Sequence, residues 1–224
     1  ISRWKNAFLL PGQCTVDEED AVGRAAARVY PAYERQLHAI NAFDLDDLIL
    51  KPCVLLREHD ERLQVWREQI HYLLVDEYQD TNLIQAEIVR LVAYRHDNVI
   101  VVGDDSQSIY AFRGANFKNI MQFPEMFPGT RIISLEENYR SVQPILDLTN
   151  VIIEQAKEKY SKKLFTRITG GSTPLLVDAV DENDQSLFVV GRIQQLCRQG
   201  IELDQIAVLF RAGYHSFDLE IELK

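Results

Sequence analysis

An α/β fold, a parallel sheet flanked by helices, is what this sequence predicts, and three observations carry the prediction. Leu73-Leu74-Val75 is a short apolar run that ends in Asp76-Glu77-Tyr78-Gln79-Asp80-Thr81. Val99-Ile100-Val101-Val102 ends in Gly103-Asp104-Asp105-Ser106-Gln107-Ser108, and Ile132-Ile133-Ser134-Leu135 leads into Glu136-Glu137-Asn138-Tyr139-Arg140-Ser141. Stretches of helical periodicity separate these runs, and that alternation is the pattern of a parallel sheet. Each expected strand ends in dense polar chemistry, for which an inert core has little use.

Residues 1 to about 70 read as mostly helical. Asp17-Glu18-Glu19-Asp20 places acids at the amino terminus of a helix over Ala21 to Ile40, where the helix dipole favours them. Pro31 within it predicts a kink or two helices. In Phe43-Asp44-Leu45-Asp46-Asp47-Leu48, Asp44 is the expected cap of the next helix. Asn82 with Gln85 spells a capping box for a helix through Tyr94. Ser141 is the expected cap of a helix through about Tyr160, with Pro144 tolerated in its first turn. Gly170-Gly171-Ser172-Thr173-Pro174 is a clear break. Beyond it, Leu175 to Val180 and Ile206 to Phe210 read as buried strands flanking a helix from about Glu182 to Gln199.

The bulk properties set bounds. A chain of 224 residues fits one large or two modest domains, and 46% hydrophobic with 26% charged residues is ordinary globular composition. No apolar run approaches the ~20 residues of a membrane span, and no signal-like amino terminus occurs. Cys14, Cys53 and Cys197 are scattered without metal-site spacing, as expected for a reducing cytoplasm. The net charge of −10 argues against nucleic-acid binding over the whole surface, while leaving room for a narrow basic strip. The chain opens on Ile1 and stops at Glu220-Ile221-Glu222-Leu223-Lys224 inside an expected helix, so it reads as a segment of something longer.

Successive side chains on a strand face opposite ways, so Asp76 and Glu77 serve one ligand only where the chain turns at the strand's carboxyl end. There Asp76 suits Mg²⁺, held through water, and Glu77 suits orienting or deprotonating an attacking water. The alternative is that the two acids simply open a loop. The wider motif is more specific. Asp76-Glu77-Tyr78-Gln79-Asp80-Thr81 resembles motif II of the UvrD/Rep/PcrA group of superfamily 1 DNA helicases. Val102 to Ala115 resembles motif III, and Leu135-Glu136-Glu137-Asn138-Tyr139-Arg140-Ser141 resembles motif IV, in the family's order. The resemblance runs from about Phe43 to Phe210, and residues 1 to 42 are compatible with it. It implies RecA-like P-loop NTPase motor domains, here incomplete, with an N-terminal helical insertion segment.

Gln107 is a neutral amide that can donate to a γ-phosphate oxygen or accept from water. The resemblance makes it the sensor linking nucleotide state to the strand-binding surface; the alternative is a turn residue bonded to backbone. Tyr110 and Phe112 share a face if the backbone is extended, a spacing suited to stacking on unpaired bases at about 1–3 kcal/mol each. Core packing is the alternative, and the family's common Trp at the Phe112 position implies a weaker stack here. Arg113 has two readings, contact with the strand backbone or bracing of the aromatic face through an ion pair. Arg140 is the expected γ-phosphate arginine, a role worth about 10³–10⁵ in rate; its alternative is an ion pair with Glu136 or Glu137. Tyr139, as the resemblance implies, stacks on adenine. Lys162-Lys163-Leu164-Phe165-Thr166 resembles a Lys-Lys-Leu-Trp-Thr segment of the second motor domain. Arg211 follows a strand that in the family meets DNA, but Gly213 and Phe217 stand where Asn and Arg are usual, so a solvated arginine is the competing reading.

No Gly-x-x-x-x-Gly-Lys-[Ser/Thr] phosphate loop occurs in the chain. The expected organisation is the end of a helical insertion (1–45), the carboxyl-terminal part of a first RecA-like domain (46–141) and the start of a second (142–224). The resemblance implies part of an ATP-dependent single-strand DNA translocase and helicase of 3′ to 5′ polarity. ATP and Mg²⁺ are its cofactors. Single-stranded DNA, duplex/single-strand junctions and the remainder of the parent chain are its partners, with no membrane. Without the phosphate loop, the chain alone is not expected to hydrolyse ATP. The rival readings are a helicase–nuclease subunit and a non-catalytic scaffold of the same fold.

Overall fold

The computed structural model describes residues 1–224, the side chain of Arg113 excepted. It divides into two compact units, Ile1–Gly170 and Gly171–Lys224. In the first unit, helices α1 (Ser2–Asn6), α2 (Ala21–Ala39), α3 (Asp47–Glu58) and α4 (Asp60–Gln69) precede strand β1 (Leu73–Val75). Helix α5 (Leu83–Ala93) leads to strand β2 (Val99–Val101), then to the short α6 (Lys118–Met121) and α7 (Phe123–Met126), and to α8 (Gln143–Glu154). The second unit holds α9 (Glu182–Arg198) and α10 (Phe217–Glu222), which pack together.

Local signals set most helix starts. Asp20 accepts from Gly23 N at 2.8 Å to cap α2, and Asp181 accepts from Asp184 N at 2.8 Å to cap α9. Asn82 and Gln85 form the expected capping box, each accepting the other's backbone N–H at 2.9 Å. Asp44 Oδ1 accepts from Asp47 N at 2.8 Å and so supplies the expected bond to the first turn of α3. Two expectations are corrected. Pro31 does not divide α2 into two helices: Ala21–Ala39 is continuous with Pro31 inside it. Ser141 is not the cap of α8; its N–H is taken by Asn138 Oδ1 at 2.7 Å, and the helix starts after Val142 without a side-chain cap. That helix also ends at Glu154 rather than near Tyr160, where Lys159 Nζ donates to the carbonyls of Ile153 and Glu154.

Strands β1 and β2 pair in parallel, Leu73 opposite Val99 and Val75 opposite Val101. Helix α5 lies between two cores. Its Ile84, Leu91 and Val92 pack with Leu50, Cys53, Leu56 and Leu63 of α3 and α4. Its Ala86, Val89 and Ala93 pack with Tyr78, Ile120, Phe123 and Phe127 against Leu73, Val75, Val99 and Val101 of the sheet. A helix buried on both sides needs apolar residues around most of its circumference, which is how α5 reads. Asn82 ties α1 to this layer: its Nδ2 donates to Asn6 Oδ1 at 2.7 Å, and Asn6 donates to Asp46 at 2.8 Å.

Ile132 to Leu135, Leu175 to Val180 and Ile206 to Phe210 do not form strands, against expectation. A strand exists only by pairing its backbone with a neighbour. Among the described residues, β1 and β2 are the strands that find one, with a single parallel bridge between Glu137 and Phe165. Leu135, Leu176 and Leu209 therefore stand largely exposed.

Candidate active site at the strand ends

The turn after β1 is made by Glu77, which adopts the left-handed φ of 50° that side-chain-bearing residues rarely hold. That turn brings Asp76 and Glu77 out of strand alternation and leaves both exposed at the carboxyl edge of the sheet. Gln79, almost wholly buried, reaches back from the following helical turn and donates to Glu77 Oε2 at 2.7 Å. Its Oε1 accepts the Asp104 N–H at 3.0 Å, which joins the end of β1 to the loop after β2. Gly103 makes this approach feasible: a Cβ there would sit 2.4 Å from Gln79 Oε1.

Asp104 continues the chain of polar contacts. Its Oδ1 accepts from Ser106 N at 3.0 Å, and its Oδ2 accepts from Gln107 Nε2 at 2.8 Å. Lys162 donates to Asp104, and to Asp105 Oδ1 at 2.9 Å. Burial opposes the charge on Asp104, but bonds from Lys162 and Gln107 outweigh it and hold the carboxyl below its ordinary range. Lys162 is raised in turn, its burial outweighed by the two aspartates. Burial and the nearby Glu77 push the Asp80 carboxyl up. Gln107 is thus not a turn residue bonded to backbone through its side chain; it is held by a carboxylate.

A second group of site residues gathers around motif IV. Glu137, Asn138, Tyr139, Thr166, Arg167 and Ile168 line a cleft of about 460 Å³. Phe165 ties the two stretches of this lining together, its N–H donating to Glu136 O at 3.0 Å and its carbonyl accepting from Asn138 N–H at 2.7 Å. Tyr139 is 80% exposed, and the bond to the neighbouring Glu137 carboxylate raises its phenol. Arg140 is exposed and joined to Asn138 through its backbone N–H at 2.9 Å. The ion pair weighed for Arg140 does not form: Glu137 pairs with Arg167 at 2.8 Å, and Glu136 accepts from Lys163 N at 2.9 Å. Among the described residues no hydrogen bond or ion pair links Arg140 to Asp76, Glu77 or Gln107.

Phe112 sits on a helical turn, Ala111–Arg113, that follows Tyr110 and is closed by Gly114 at φ 88°. The condition of extended backbone is not met here, yet the rings still meet, with centroids 6.1 Å apart and tilted by 43°. Phe112 is 72% exposed, which removes core packing as its explanation. The side chain of Arg113 lies outside the described residues. Arg211 is exposed in a bend of the Gly171–Lys224 unit. The parts played by Gln79 and Asp104, and the pairing of Lys162, are not directly legible in the sequence. The available signal for Gln79 was a glycine closing an apolar run, which marks a close approach by another side chain.

The residues present fit a magnesium nucleotide. No group of three or more His, Cys, Asp or Glu able to hold a metal occurs among the described residues. Mg²⁺ needs none, since one or two carboxylates, waters and phosphate oxygens commonly complete its shell. Exposed Asp76 is a suitable carboxylate. No helix among the described residues is long and apolar enough to cross a membrane.

A helix-rich α/β chain with a parallel strand pair and polar strand ends is of the RecA-like class found in UvrD helicase domains, and comparison with known proteins agrees. Residues 1–128 match the UvrD/REP helicase N-terminal domain, and residues 133–224 match the UvrD-like helicase C-terminal domain. The chain belongs to the UvrD/REP helicase family. It is 38% identical over 220 residues to the ATP-dependent DNA helicase PcrA of Staphylococcus epidermidis, covering 98% of this chain and 30% of that protein. Over 221 residues it is 38% identical to the ATP-dependent DNA helicase Rep of Buchnera aphidicola, covering 98% of this chain and 34% of that protein. PcrA of Leuconostoc citreum is 39% identical over 224 residues, covering all of this chain and 30% of that protein. The chain thus spans about a third of the length of these curated relatives, and the similarity includes residues 1–42.

Proposed function

We propose that the chain is the central part of an ATP-dependent, single-strand DNA translocase and helicase, acting 3′ to 5′ on duplex/single-strand junctions. The observation that carries this reading is the polar path from Glu77 through Gln79 and Asp104 to Gln107, across the carboxyl ends of two adjacent parallel strands. Exposed apolar Leu74 and Ile100 support the incomplete-domain reading, since parallel sheets are normally covered on both faces. That two family models match in succession, over residues 1–128 and 133–224, supports a chain made of two motor portions.

Asp76 would hold Mg²⁺, which when bound would supply positive charge against the phosphates. Glu77 has one carboxylate oxygen fixed by Gln79 and keeps Oε1 to orient water and take its proton. Tyr139 offers an exposed ring to adenine, and Arg140, without a competing acid, neutralises charge at the transferred phosphoryl. Tyr110 and Phe112 offer an aromatic pair to unpaired bases, with Arg113 and Arg211 as further DNA contacts. The 224 residues contain no phosphate loop, and on this reading the segment alone does not turn over ATP. Glu77→Gln in the intact polypeptide should abolish DNA-stimulated ATP hydrolysis while preserving binding of a fluorescent ATP analogue. Retained hydrolysis would remove Glu77 from the chemistry.

A further inference from the structure

We propose that Lys162 is a positioning residue: through the Asp104 carboxylate it orients Gln107 so that its amide oxygen accepts a hydrogen bond from the attacking water. The inference rests on the reading of Gln107 as a nucleotide-facing residue. Lys162 lies 58 positions from Asp104 in sequence, and its side chain is 15% exposed. Its ammonium bridges Asp104 and Asp105, two adjacent and partly buried carboxylates that repel one another without a shared cation.

The consequence for Gln107 follows from donor counting. An ionised carboxylate only accepts, so the Gln107 group 2.8 Å from Asp104 Oδ2 is the amide NH₂. Its Oε1 is then the end left for a ligand. An amide oxygen accepts from a water O–H; it does not donate to a phosphate oxygen. Of the two roles open to a neutral amide, the Lys162–Asp104 pair selects the first. Gln107 thereby shares with Glu77 the task of holding the attacking water.

Lys162 is not the main anchor of its segment. Tyr160 donates its hydroxyl to Ile120 O at 3.0 Å, Phe165 bridges Glu137, and Asn150 holds Leu164 through bonds of 2.8 and 3.0 Å. Removing the ammonium alone therefore leaves the segment docked.

The test uses steady-state ATP hydrolysis by the intact polypeptide with saturating single-stranded DNA. Lys162→Met should lower kcat about tenfold with KM for ATP changed less than about twofold, as for an interaction felt in the transition state. Lys162→Arg should recover most of the rate. Asp104→Asn should show the same loss, and Lys162→Met added to it should cost no more, since both act through one contact. Unchanged kcat in Lys162→Met, beside a Gln107→Ala variant that has lost turnover, overturns the positioning role and leaves the reading of Gln107 standing. Full turnover in Gln107→Ala overturns both. A loss in Lys162→Met that Lys162→Arg fails to recover, or one carried by KM, also overturns it.

Discussion

Gln79 Oε1 accepts the backbone N–H of Asp104 at 3.0 Å, so the turn after β1 and the loop after β2 share one buried side chain. The same amide donates to Glu77 Oε2 at 2.7 Å, which means the position of the proposed base is set from the neighbouring strand. Glu77 is exposed and stands at a strained φ, so a second point of attachment matters for its geometry.

The first prediction concerns Gly103. A Cβ there would meet Gln79 Oε1 at 2.4 Å and Ile120 Cδ1 at 2.8 Å, side-chain ends that can move, and the Tyr78 backbone N at 3.3 Å, a tight but lesser contact. Gly103→Ala should therefore cost only about 1–3 kcal/mol of stability while displacing Gln79 from Asp104 and Glu77. Thermal melting and ATP hydrolysis by the intact polypeptide read the two effects. A small melting shift with normal hydrolysis would show that Gln79 does not position Glu77.

Lys5 anchors α1 by an ionic cluster. It has no exposed surface and contacts Glu34 at 2.6 Å, Asp44 at 2.9 Å and Asp47 at 2.8 Å. Lys5→Met leaves these acids without their central cation and should cost about 3–5 kcal/mol in urea unfolding at neutral pH. The pH dependence has a definite sign. Burial opposes the charges of Glu34 and Asp44, yet bonds from Lys5, joined by Lys51 at Glu34 and Tyr33 at Asp44, hold both below the ordinary carboxylate range. Their contribution is present above the unfolded value near pH ~4 and is lost as pH falls through the lowered folded value. In Lys5→Met burial acts unopposed by Lys5, so the deficit should shrink as pH is lowered. A deficit independent of pH would show that packing, not charge, accounts for Lys5.

Arg140 has no acid competing for its guanidinium. Arg140→Ala should reduce ATP turnover by about 10³–10⁵ and leave affinity for single-stranded DNA, measured by fluorescence anisotropy, within a few-fold of its starting value. Equal loss of both would count against a phosphate-facing role.

Phe112 stands 72% exposed beside Tyr110. Phe112→Ala should weaken binding of single-stranded DNA by about 1–3 kcal/mol with little change in melting temperature. Unchanged affinity would exclude base stacking at this position.

What the sequence determined by itself is the local part of this protein. Asp20, the Asn82–Gln85 box and Asp181 start their helices because capping bonds join residues three apart, and β1 and β2 are visible as apolar runs ending in acids. The motif residues that define the family are likewise contiguous. What only the tertiary structure decided is non-local: whether Ile132–Leu135 finds a strand partner, which acid takes Arg167, and how Lys162 closes on Asp104 from 58 residues away. The division has a physical reason. Helical and capping bonds are satisfied within a few residues of chain, whereas a strand ladder or a buried ion pair needs a partner whose arrival depends on the rest of the fold.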